Sequence, residues 1–155
     1  MSTLSDLYQE IIIDHSKHPQ NFRKIDHPSC QAEGYNPLCG DRVEVFLRIQ
    51  NQTIQDASFQ GTGCAVCTAS ASLMTELVKD KIVADVKQIS ERFRSALVKE
   101  HAEIDQEQLG KLQVLLGVKQ YPMRVKCATL AWHTLESALK NDAKETCTES
   151  SKFIK

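Results

Sequence analysis

In the stretch NPLCGDRVEV, Cys39 and Asp41 place a soft thiol and a hard carboxylate on either side of Gly40. The glycine permits the backbone conformation in which both side chains turn toward one point. Two further thiols, Cys64 in GTGCAVCTASAS and Cys127 in YPMRVKCATLAW, each fall near the start of an expected helix. There the unpaired amides and the positive end of the helix dipole favour thiolate over thiol, and Arg124 and Lys126 should add to that field at Cys127. Three thiolates and one carboxylate make four ligands, the number a tetrahedral Zn²⁺ takes, and thiolates also suit iron–sulfur clusters. A carboxylate in place of a fourth cysteine is a poorer match for a soft or borderline metal, so such a site should exchange ligands or release its cargo readily. Taken singly, each cysteine also reads as a small buried hydrophobe and Asp41 as a turn residue, and spacing alone leaves both readings open.

The elements that must bring these residues together belong to a chain of one-domain size. At 155 residues and 41% hydrophobic, it has enough apolar mass for a core without crosslinks. Lys and Arg total 19 against 20 Asp and Glu, a net charge of -1, which argues for neither nucleic acid nor a membrane as the main partner. The N-terminus MSTLSDLYQEIIIDHSKHP carries acids early and only a short apolar run, the pattern of neither a signal peptide nor a span, so a cytoplasmic protein is expected. Six cysteines in such a compartment are read as metal ligands or reactive thiols before disulfides.

Periodicity sets the elements. Leu4, Leu7, Tyr8, Ile11 and Ile12 predict a first helix to about Ser16, with Ser2, Thr3 and Ser5 as caps and Pro19 as the stop. An irregular stretch to Pro37 has room for a short edge strand at CQAEGY. In RVEVFLRI, Val43, Val45, Leu47 and Ile49 alternate with Arg42, Glu44, Phe46 and Arg48, and a QNQ turn leads into a second strand from Thr53 to Phe59. Gly61 and Gly63 end that strand before a helix opening at Cys64. Amphipathic helices are expected over Val83 to Glu100, over Gln106 to Leu116 with Gly117 as the stop, and from Pro122 through Leu139. The prediction is an α+β domain over residues 1–140, with helices packed mainly on one face of a small antiparallel sheet, followed by a polar, fraying tail over 141–155 that carries Cys147.

Four segments in order, LYQEIIIDHSKHPQNF, NPLCGD, GTGCAVCTASAS and YPMRVKCATLAW, resemble the U-type iron–sulfur assembly proteins, the family of IscU, the N-terminal part of NifU, and SufU. The resemblance implies a three-stranded antiparallel sheet, with Cys39, Asp41, Cys64 and Cys127 around a metal or cluster. Two features point to the SufU type. Lys126 stands where IscU-type scaffolds carry a histidine before the last cysteine, and a charged amphipathic segment, about Lys81 to Asp105, fills the gap between the second and third cysteines. That type implies a zinc-bound sulfur acceptor in iron–sulfur cluster assembly. A cysteine desulfurase passes the outer sulfur of its persulfide to Cys39 after a histidine of the desulfurase displaces Cys39 from zinc, and downstream iron–sulfur scaffold proteins are possible further partners. Asp41 would then keep zinc in place or help release Cys39. Arg124 matches an Arg of the SufU motif and would steady the thiolate or meet the partner; read alone, it is a surface cation capping a helix.

Two other functions remain open beside the sulfur acceptor. One is a non-enzymatic scaffold carrying a [2Fe–2S] or [4Fe–4S] cluster, and the other a structural zinc module. Cys67 completes a formal C-x-x-C with Cys64, a redox or alternate-ligand pattern, yet no βαβ unit surrounds it and its Ala/Ser-rich helix suits a packed small residue. Cys30 and Cys147 read as surface or core thiols, and His15 and His18 as residues capping the first helix. His27, His101 and His133 read as ordinary, with His133 poorly phased to share a site with Cys127.

Overall fold

The computed structural model of the chain describes residues 4–99, 106–140 and 146–147. Helix α1 (Leu4–Lys17) leads through an irregular strap into the hairpin β1 (Cys30–Asn36) and β2 (Asp41–Gln50), then β3 (Thr53–Thr62). Helices α2 (Ala65–Val78) and α3 (Val83–Val98), the single turn α4 (Gln106–Leu109), a 3₁₀ segment (Gly110–Gln120) and α5 (Pro122–Leu139) follow. The three long strands are antiparallel in the order β3-β2-β1, with Cys30 opposite Leu47 and Asn36 opposite Asp41 in the first pair. This is the expected three-stranded α+β layout. Thr146–Cys147 (β4) lie parallel beside Gly34 and Tyr35 of β1. The rest of the tail and the caps Ser2 and Thr3 lie outside the described residues.

The β2–β3 connection is a two-residue turn with Asn51 at φ 53 and Gln52 at φ 62, the left-handed pair that matches the twist of a hairpin. The alternation of β2 holds for Val43, Val45 and Leu47, all buried in one continuous core with Ala57 and Phe59 of β3. Helix α5 crosses β1 and β2 on that face, and α2 packs beside it against β3. Trp132 of α5 and Phe93 of α3 meet at 5.5 Å between ring centroids, which seats α3 on the outer side of α5.

Two local departures from the sequence reading have physical causes. Phe46, expected on the solvent side of β2, is buried. The strap before β1 covers part of the second sheet face: Arg23 N–H donates to the Phe59 carbonyl, Ser29 N–H to the Leu47 carbonyl, and Ile25 is buried as well. The expected helix from Gln106 to Leu116 is one α-turn that changes at Gly110, φ +50, into a 3₁₀ segment running past Gly117 to Gln120. Its buried Leu112, Leu115 and Val118 recur every third residue, the repeat of a 3₁₀ helix.

Candidate metal centre

Three element ends meet at one side of the sheet. The turn from Pro37 to Gly40 is closed by the Gly40 N–H donating to the Asn36 carbonyl at 2.8 Å, and Gly40 takes φ +71, open to glycine and strained for other residues. Cys39 projects from this turn into solvent, while Asp41, the first residue of β2, is only 1% exposed. Cys64 is the N-cap of α2, and Cys127 sits in the second turn of α5, buried. Cys127 Sγ and Cys39 Sγ stand 3.7 Å apart, and Cys64 Sγ stands 3.8 Å from Asp41 Oδ2. One ligand atom each from Cys39, Asp41 and Cys127 lies within 4.8 Å of the others; Cys64 is not part of that set and adjoins it through Asp41.

The donor set fits a metal ion. Two thiolates on one tetrahedral zinc, each about 2.3 Å from it, stand roughly 3.8 Å apart, close to the observed sulfur separation. Asp41 makes no ion pair among the described residues; Oδ1 accepts the Cys64 N–H at 3.0 Å and Oδ2 faces thiol. A buried carboxylate so placed is costly unless a cation joins it. Gly63 makes the close approach possible, since a Cβ there would stand 2.8 Å from Asp41 Oδ1.

The local field separates the thiols. Cys64 is lowered from 9.0 to about 7 by its hydrogen bond with Cys127 and by the amides of Cys67 and Val66 at the helix start, against burial and the Asp41 charge. The expected similar field at Cys127 is not found: the same partner thiol, burial and Asp41 push it strongly upward. Arg124 and Lys126 do not offset this. The Arg124 guanidinium rests over the Tyr121 ring, 5.1 Å from its centroid, and Lys126 lines a separate cleft between α3 and α5 with Arg94 and His133. Arg124 does line the cleft of the three thiols, about 660 Å³ in volume, whose opposite wall is Ile12 and Ile13 of α1.

Cys30, Cys67, His15 and His133 lie outside the cluster, and His101 and the Cys147 side chain lie outside what the structure describes. Cys67 is a core residue, its thiol pushed far up by burial, and Cys30 is buried too; Cys30, Cys39, Cys64, Cys67 and Cys127 are free thiols. His15 does not cap α1: its ring is buried, with Nδ1 2.7 Å from Ser72 Oγ of α2 and Nε2 3.6 Å from Glu76, which ties α1 to α2. His133 is lowered to about 4 by burial and by Arg94, and it lines the other cleft and not that of the thiols. Sequence reasoning passed over Asn36, buried at the root of the turn, although its place three residues before Cys39 in NPLC is a turn signal. It also passed over Gly63 as a packing requirement and over α1 as a wall of the cleft.

Residues 7–128 match the family model of the NifU-like N-terminal domain. The chain belongs to this family. Among its U-type relatives, the zinc-dependent sulfurtransferase SufU of Bacillus subtilis is 36% identical over 141 residues, covering 91% of this chain and 95% of the relative. The iron–sulfur cluster assembly scaffold protein IscU of Streptococcus pyogenes is 35% identical over 143 residues, covering 92% and 89%. A crystal structure from Fervidobacterium islandicum, a candidate assembly scaffold for the SUF system, superposes with a TM-score of 0.80 at 34% identity, covering 88% of this chain and 99% of that one. The NifU-like architecture is thus shared along nearly the whole described fold. Among the described residues, no helix is long and apolar enough to cross a membrane.

Two outcomes follow from the geometry. Gly63→Ala should press on the Asp41 carboxylate and weaken Zn²⁺ binding by about 10- to 100-fold, read by competition with a chelator, with the far-ultraviolet circular dichroism unchanged. In chelator-stripped protein, Cys64 alkylation should rise through a midpoint near pH 7, because a lowered pKa leaves the thiolate populated above that pH; peptide mapping with iodoacetamide checks it. A Cys64 midpoint near 9 contradicts the field described above.

Proposed function

We propose that the chain is a zinc-dependent sulfur acceptor, taking persulfide sulfur from a cysteine desulfurase for iron–sulfur cluster assembly. The observation that carries this reading is the unequal exposure of one convergent set: Asp41 and Cys127 are buried, while Cys39 and Cys64 are exposed, Cys39 on a glycine-bearing turn and Cys64 at the start of α2. Such a set holds an ion by its buried members; of the two exposed sulfurs, Cys64 is tied to the start of α2 by the Cys67 N–H, which leaves Cys39 on its turn as the one to offer a partner. Lys126 supports the same reading, because it faces another cleft and a charged amine is no ligand.

In this reading Cys39, Asp41, Cys64 and Cys127 hold the zinc. When bound, the ion keeps the thiols deprotonated at neutral pH and lowers their nucleophilicity. Cys39, on the exposed turn, is the sulfur that a competing ligand from the partner reaches first. Once free, its thiolate attacks the outer sulfur of the donor persulfide R–S–SH; the new bond gives Cys39–S–SH, and R–S⁻ departs with the electron pair of the broken S–S bond. Arg124, exposed on the cleft rim, would meet negative charge on the incoming donor. Ile12, Ile13 and Val118 give the cleft an apolar wall beside the exchange.

A second reading, a scaffold on which a cluster is built and handed on, is favoured by the near-equal likeness to IscU of Streptococcus pyogenes and by a thiol set that suits iron as well as zinc. Metal analysis of the purified chain and mass spectrometry after incubation with a desulfurase and cysteine separate the two. The sulfur-acceptor reading expects about one zinc per chain and one added sulfur atom on Cys39, lost in Cys39→Ser. A chain that takes up no sulfur but gains a stable visible chromophore on anaerobic reconstitution is a scaffold instead.

A further inference from the structure

Asn36 carries a polar group that the fold leaves unspent. It is the last residue of β1, fully buried, and its Oδ1 accepts the Leu38 N–H at 3.2 Å while its carbonyl accepts the Gly40 N–H. A backbone N–H only donates, so the atom facing Leu38 is the amide oxygen and the remaining NH₂ is a donor. That Nδ2 has no hydrogen-bond partner among the described residues. A buried donor without an acceptor is destabilising, and such groups are rare enough to call for a reason.

The strand register supplies one. Asn36 pairs directly with Asp41, both residues are buried, and opposed residues on one face of an antiparallel pair have their Cβ atoms within about 5.5 Å. Asp41 Oδ2 meanwhile faces thiol, a weak donor. An unused amide donor and an under-used carboxylate oxygen thus stand across from each other at the mouth of the hairpin. We propose that Asn36 is a positioning residue for Asp41: its Nδ2 takes the carboxylate when Asp41 leaves the ion, giving the ligand a second resting place and so easing the opening of the site. This rests on the reading of Asp41 as a metal ligand.

The same residue shapes the Cys39 turn, so the test must separate the two roles. Asn36→Asp keeps an oxygen for the Leu38 N–H and removes the donor. The experiment times zinc release from the zinc-loaded full chain to a chromophoric chelator, in the native background and in Asp41→Ala. The proposal expects Asn36→Asp to slow release by about tenfold in the native background, the scale of one lost hydrogen bond to a charged group, and to leave the rate unchanged in Asp41→Ala. An unchanged or faster rate in the native background overturns it, faster release being what a merely loosened turn gives. Equal slowing in both backgrounds also overturns it, since the added charge then acts without Asp41. If Asp41→Ala alone leaves release unaltered, Asp41 is no ligand and the proposal falls with that assignment. Metal release is read without any sulfur donor, so a failed persulfide assay bears on sulfur transfer alone.

Discussion

The hydrogen bond from the Cys64 backbone amide to Asp41 Oδ1 is the constraint on which the site depends. It joins the first residue of β2 to the N-cap of α2 across 23 positions of chain. One carboxylate oxygen is thereby fixed on the helix start and the other left toward the sulfurs. Because the amide belongs to a helix terminus, it would otherwise lack a partner, and because Asp41 is buried, its charge would otherwise lack compensation. Each group answers the other's deficit. Gly63 is the space that this bond requires.

From that bond the rest of the arrangement follows. The Asn36 turn sets Cys39 beside the carboxylate, and α5, held on β1 and β2 by its small and apolar face, brings Cys127 up from beneath. The His15–Ser72 contact keeps α1 against α2, so that Ile12 and Ile13 wall the cleft opposite Tyr121 and Arg124. The same packing that buries Asp41 and Cys127 leaves Cys39 and Cys64 at the surface. The hairpin turn carries the one and the start of α2 the other.

Much of this is readable before folding because it is local. A glycine between Cys39 and Asp41, a cysteine after GTG at a helix start, and a proline five residues before Cys127 are signals carried by neighbours in sequence. The misread features depend on contacts from afar. Phe46 is buried by a strap whose partners on β2 and β3 no alternation pattern reveals. Leu112, Leu115 and Val118 fit a period of 3.6 nearly as well as 3.0 over so short a run, and the positive φ of Gly110 decides between them. His15 finds Ser72 at a separation of 57 residues, so a role at its own helix end was the nearest reading available. Cys127 is set by the thiol and carboxylate folded against it, which outweigh the cations beside it in sequence.

The proposed function requires Asp41 and the sulfurs of Cys39, Cys64 and Cys127 to hold one ion, with Cys67 kept out in the core. X-ray absorption at the zinc edge of the full chain as purified probes that shell without any partner. The expected spectrum fits three sulfurs at about 2.3 Å and one oxygen at about 2.0–2.2 Å. A shell of four sulfurs, which Cys67 would have to complete, or a shell with fewer than three, contradicts it.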